Sequence, residues 1–155
     1  MAKRSLLEIE DALVAKLKPL VDSHHVRQVG TYNGDLDIER FVSFVQEWPA
    51  VLVHYNGSTF EDYAQRRAET MEFVVFACDR HESEQSEARR GGLTNPGSYN
   101  LLDAVAGLLE GKKVIATDDV APCERLHQQS EMQGKALSIY SARYAIKIVY
   151  LVNLE

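Results

Sequence analysis

The chain has 155 residues, 45% hydrophobic and 26% charged, a composition that excludes disordered and collagen-like classes. It fits one domain with one core over residues 1–155, since compact domains most often hold roughly 100–150 residues. A formal charge of −6 and a pI near 5.4 argue against a general nucleic-acid binder, which gains affinity by neutralising phosphates with clustered Lys and Arg.

Ser5 and Glu8 form an S-x-x-E capping box, and behind it Leu6, Ile9, Leu13, Leu17 and Leu20 recur at helical spacing, which predicts an amphipathic helix. Pro19 disfavours helical geometry at Lys18 and lacks an N–H, so the helix should stop or kink there. Residues 22–35 read as a loop with one short strand. A second short helix is predicted over 37–47, where Ile38, Phe41, Val42 and Val45 share a face before Pro49.

Ala50-Val51-Leu52-Val53-His54-Tyr55 reads as a buried strand entering a turn at Asn56-Gly57. A further strand follows Arg67, with a core at residues 71–78 apolar enough on both faces to lie centrally in a sheet. Residues 79–98 then change character: about twenty residues rich in Glu, Arg, Ser, Gly and Asn. Loops longer than about 12–15 residues are uncommon in compact domains and tend to be functional or disordered, so this segment reads as a long polar arm.

Leu101, Leu102, Val105, Leu108 and Leu109 restore a helical stripe, with Ser98 or Asn100 as N-cap and Gly111 as terminator. Residues 112–122 suggest a short strand or connection, and 123–133 a polar exposed strand or an irregular segment. Tyr140, Ala142, Tyr144, Ile146, Ile148, Tyr150 and Val152 alternate with Ser141, Arg143 and Lys147, the period of a long strand with one face in the core. The order of elements predicts an α+β domain with a mostly antiparallel sheet and helices packed on one face.

Candidate chemistry is sparse. His24 and His25 are adjacent and diverge, with no Cys, Asp or Glu at metal-ligand spacing, and they read as surface histidines. Cys78 and Cys123 lie far apart with no CxxC, which predicts two reduced thiols. His81 and His127 have no partner nucleophile motif. Asp118-Asp119 lacks the remaining ligands of a calcium loop. Gly91-Gly92 and Gly97 lie in the polar arm rather than in a nucleotide-binding turn. No cofactor, metal or catalytic residue is therefore assigned. The Arg66-Arg67 and Arg89-Arg90 doublets are local basic points, and Glu82, Glu84 and Glu87 precede the second of them. This segment reads equally as a disordered surface loop or as an arm that orders on a neighbouring subunit, its acids and arginines meeting opposite charges across an interface.

No run approaches the roughly 18 apolar residues of a membrane span. The start, Met1-Ala2-Lys3-Arg4-Ser5-Leu6-Leu7-Glu8, meets an acid where a signal peptide needs its apolar run, so a cytoplasmic protein and no membrane partner are expected.

Several weak pieces occur together: the N-terminal helix, Trp48-Pro49-Ala50-Val51-Leu52-Val53-His54-Tyr55, Arg67 leading into the 71–78 strand, and Arg89. Gly97-Ser98-Tyr99-Asn100-Leu101-Leu102-Asp103-Ala104-Val105, Leu108-Leu109, Gly111 and Tyr144-Ala145-Ile146 complete the set. In this order they resemble the gene product 37 family of Mu-like phages, a group of tail-completion proteins regarded as tail terminators.

The resemblance implies a tail-terminator-like fold and a non-enzymatic structural subunit of a phage or prophage. Such a subunit assembles as a ring, expected to be hexameric, on the tail tube protein, stops its polymerisation and joins the tail to the neck or head connector. It implies location in the host cytoplasm during assembly and then in the virion tail. DNA would pass through the channel without specific binding, helped by net negative charge. Ring closure demands a heterologous contact, and the expected interface residues are Glu82, Glu84, Glu87, Arg89 and Arg90, with Arg66 and Arg67 as receivers. Two other readings remain open on the residues alone: a small cytoplasmic adaptor or regulator acting by protein–protein contact, and an enzyme in which His54, His127 and an acid converge.

Overall fold

The computed structural model describes residues 3–23, 25–32, 45, 47–81, 85–92, 95–134 and 136–152, with backbone alone at 85–87. Helix α1 is Leu6–Leu17. Ser5 stands extended before it and its hydroxyl accepts the Glu8 N–H at 3.1 Å, satisfying one of the donors a helix start leaves open. Ile9, Leu13 and Leu17, one turn apart, are fully buried. Lys18 keeps helical dihedrals, and a four-residue turn, α2, follows at Pro19–Asp22 with the proline in its first position, where a missing N–H is harmless. Pro19 thus interrupts the helix rather than ending it. The helix expected over 37–47 lies almost wholly outside the described residues.

Five strands form one sheet: β1 (Gln28–Thr31), β2 (Ala50–Tyr63), β3 (Arg66–Arg80), β4 (Glu124–Gln133) and β5 (Leu137–Leu151), in the order β1-β2-β3-β5-β4. The β1–β2 pair is parallel and every other pair antiparallel, so the fold is α+β with a mostly antiparallel sheet. Between β3 and β4 stand α3 (Gln85–Arg90) and α4 (Ser98–Leu109).

The strand that begins at Ala50 does not turn at Asn56-Gly57, as the sequence suggests. It passes through a bulge between Tyr55 and Gly57, with Gly57 at φ 118°, and pairs with β3 as far as Tyr63–Arg66. Asn-Gly supplies the positive φ that a bulge needs as well as a turn, and the residues after it favour strand. The hairpin turn falls instead at Ala64-Gln65, with Ala64 at φ 51°. Residues 112–122 are a connection whose Val120 bridges Ile148 of β5, while Glu110 and Cys123 bridge each other across its two ends.

One face of the sheet carries α1 and α4: Ile9, Leu13, Leu17, Leu101, Val105 and Leu109 pack with Val51, Val53, Met71, Phe73, Val75, Tyr144 and Ile146. The other face holds a smaller cluster of Tyr32, Val45, Ala50, Leu52, Val74, Phe76, Cys78 and Ile139, with Trp48 and Met132 against it. The central position of β3 explains why both its faces are apolar.

Tyr144 is fully buried, and among the described residues its hydroxyl meets no hydrogen-bond partner. Burial pushes its pKa up to about 12. An unsatisfied buried hydroxyl costs about 1–3 kcal/mol, so Tyr144→Phe is expected to stabilise the fold by about 1 kcal/mol in urea titration. A destabilised variant would contradict that accounting.

Candidate interaction surfaces

The sequence marks no catalytic group, and His54 and His127, the two histidines of the enzyme reading, do not meet. His54 on β2 donates its Nδ1–H to the Tyr32 carbonyl at 2.8 Å, while His127 on β4 meets Gln129 at 3.0 Å. Both project from the same face, but β3 and β5 stand between them, a separation of roughly 14 Å at about 4.8 Å per strand. His24 lies outside the described residues, and His25 bonds Ser23 at 2.5 Å. Among the described residues no group of three His, Cys, Asp or Glu side chains could hold a metal ion.

Asp119 of the Asp118-Asp119 pair is claimed by Arg4, whose Nε donates at 2.9 Å while its other nitrogens reach Glu8 and Thr117. These bonds hold the Asp119 carboxyl down at about 2, and they raise the Arg4 guanidinium. The pair contributes stability above the ordinary carboxylate pKa and loses it as pH falls through about 2. It ties the start of α1 to the 112–122 connection. Cys78 and Cys123 are buried free thiols, one in each of the two core clusters, and burial raises both pKa values, that of Cys123 to about 11. Neither is a reactive thiolate.

The segment read as an arm is built into the fold at its base. Asp79 is buried, and its Oδ2 accepts Asn95 Nδ2 at 2.9 Å and the Gly97 N–H at 2.6 Å, while Oδ1 accepts the Arg80 N–H at 2.7 Å. Gly91 and Gly97, at φ 92° and 79°, press backbone to backbone and close the loop between α3 and α4. Ser98 does not cap α4. Its hydroxyl bonds Ser138 at 2.5 Å inside the core, Asn100 Nδ2 donates to the Pro96 carbonyl at 2.7 Å, and Gly97 takes the N-cap position. Ala88 of α3 is fully buried. The alanine and these backbone bonds are what composition alone hides.

The expected interface residues fall in two places. Glu82, Glu84 and the Glu87 side chain lie outside the described residues. Arg90 is exposed, whereas Arg89 is half-buried with its guanidinium 5.8 Å from the Tyr99 ring centre, and its Nε is buried without a hydrogen-bond partner among the described residues. Arg66 and Arg67 sit beside the β2–β3 turn, at the far end of β3 from Arg80, roughly 40 Å away at about 3.3 Å per residue. Arg67 pairs with Asp62 at 2.6 Å and lies over Phe60, while Arg66 is exposed. Among the described residues, one subunit therefore does not bring Arg89 and Arg90 together with the Arg66-Arg67 doublet.

Two further features leave no signal in the sequence. The hairpin end carries exposed apolar side chains, Phe60 at 54% on the helix-bearing face and Tyr63 at 54% and Leu151 at 51% on the other. At the other side of the sheet, an open groove of about 540 Å³ runs between α4 and β4, lined by Tyr99, Leu102, Asp103, Gln128, Gln129, Ser130 and Tyr140. Tyr99 and Tyr140 meet edge to face in its wall, ring centres 5.2 Å apart. No described helix is long and apolar enough to cross a membrane.

A family model for Bacteriophage Mu, Gp37 matches residues 5–149, a span that takes in every strand and helix described above except the last two residues of β5. The chain belongs to this Gp37 family. Membership points to a phage structural protein. No curated protein sequence matches the chain. The Gp37 match spans the residues of the capped α1, the β2 bulge, the Asp79 anchor and the groove.

Proposed function

We propose that this protein is the single-domain subunit of a ring, expected to be hexameric, that caps the tail tube, ends its polymerisation and joins the tail to the neck. The Gp37 family match over residues 5–149 carries this reading. What supports it in the molecule is a pair of unlike exposed sites: Arg90, beside half-buried Arg89, at one end of β3, and Arg66, beside half-buried Arg67, on the hairpin at the other. Contacts between unlike patches are what a closed ring needs.

The arm acids Glu82, Glu84 and Glu87 and the arginines Arg89 and Arg90 would meet the neighbouring copy or the tube, with Arg66 and Arg67 as receivers of the acids. Net charge of −6 would let DNA slide past without adhering. The protein would act in the host cytoplasm during assembly and then in the virion tail.

Electron micrographs of tails assembled with and without the protein test the role. Overlong tubes are expected in its absence, and tails of normal length would overturn the reading. For the charged contacts, Arg66→Glu combined with Arg90→Glu changes two exposed side chains, so thermal stability should stay within about 0.5 kcal/mol of the parent. Ring formation should fail, and intact rings would remove those residues from the interface.

A further inference from the structure

Both long sides of the sheet are open in the described structure. β1 pairs only with residues 50–53 of β2, and among the described residues no backbone partner follows on that side over residues 54–63. β4 is ten residues long and pairs only with β5. Unpaired edges of this length invite another strand.

The directions and spacings of the two edges match. In an antiparallel ladder alternate residues turn both N–H and C=O to the same side. The Val53 carbonyl accepts the Tyr32 N–H at 2.8 Å and so faces outward. Its partner on β3 is Val75, and Met71, Glu69 and Arg67 follow in even steps, so their partners Ser58, Phe60 and Asp62 also open outward. The same alternation carried through β3 and β5 opens Gln128 and Ser130, the partners of Ala142 and Tyr140.

β2 and β4 run in opposite directions, so two copies in the same orientation meet edge to edge as antiparallel strands. Setting Phe60 opposite Gln128 sets Ser58 opposite Ser130. The bulge between Arg125 and His127 then brings Arg125 opposite Asp62, an acid against a base. All of these side chains lie on the helix-bearing face. Phe60, 54% exposed on its own subunit, arrives beside Gln128 and Ser130, at the mouth of the groove walled by Tyr99, Leu102 and Tyr140. Among the described residues, β1 ends at the Val53 level, short of this stretch.

We propose that the side-to-side contact between copies of this chain is an antiparallel pairing of the β2 edge at 58–62 with the β4 edge of the next copy, seating Phe60 in the α4–β4 groove. The contact is heterologous, since β2 and β4 are different patches, and so it propagates around a ring. This deepens the ring reading above and rests on it.

The test uses full-length protein carrying either Phe60→Cys or Gln128→Cys; the native Cys78 and Cys123 are buried. Under mild oxidation an equal mixture of the two variants should give a cross-linked dimer, and neither variant alone should. Phe60→Ala should keep the parent's melting temperature and weaken assembly at least about tenfold, as loss of an aromatic anchor does. Rings that form without the mixed cross-link, or cross-links within a single variant, would overturn the edge contact and leave the ring intact as a reading. If the parent forms no ring, alone or on tail tubes, the ring reading falls and takes this contact with it.

Discussion

Gly97→Ala is expected to cost on the order of 4 kcal/mol or more and to unravel the loop between α3 and α4. A methyl at this position would stand 2.1 Å from the Gly91 nitrogen and 2.6 Å from the Arg90 carbonyl carbon. Those atoms are backbone, so no side-chain rotation relieves the clash. The φ of 79° adds about 1 kcal/mol of strain for any residue with a Cβ. Relief requires the two ends of the loop to part, which pulls the Gly97 N–H from Asp79. Gly107 is the internal control. It lies within α4, and a methyl added there would meet nothing within 4 Å, so Gly107→Ala should stabilise the protein by about 1 kcal/mol. Urea titration of the two variants reads both numbers. A Gly97→Ala protein as stable as the parent would mean that the loop is not closed in this way.

The contrast between those glycines shows what the sequence discloses. The helix α1 is legible because its signals are local: Ser5 and Glu8 mark the start, and Ile9, Leu13 and Leu17 repeat every turn. The strand β5 is legible for the same reason, with its long alternation of Tyr, Ala and Ile. Asn56-Gly57 misleads because bulge and turn ask for the same backbone, and the choice depends on whether β3 continues to pair beyond it. The arm misleads in a different way. Its polar composition suggests a segment with little to bury, yet Asp79 gathers donors from residues 16 and 18 positions later. Pairings at that distance leave no periodic trace. The placing of Phe60, the groove and the open edges are equally hidden, since each depends on which strands become neighbours in β1-β2-β3-β5-β4.

Asp79→Ala is expected to destabilise the protein by about 3 kcal/mol, because three donors lose one buried carboxylate and at least two of them are backbone N–H groups left without an acceptor. Asp79→Asn should recover little of this. The amide keeps one oxygen, so its NH2 must face either the Arg80 N–H or the Asn95 and Gly97 donors. The charge state has its own signature. Burial raises the Asp79 pKa above the ordinary 3.8, against the opposing pull of its donors. A carboxyl raised on folding contributes most where it is protonated and less once pH has risen through its folded pKa. The gap in stability between parent and Asp79→Ala should therefore be wider below about pH 4 than at neutral pH. The Arg4–Asp119 pair acts in the opposite direction as pH falls, but it is common to both proteins and cancels in the difference. Denaturation midpoints of the two proteins across this pH range measure the gap, and a gap that narrows in acid would show that the donors, rather than burial, govern Asp79.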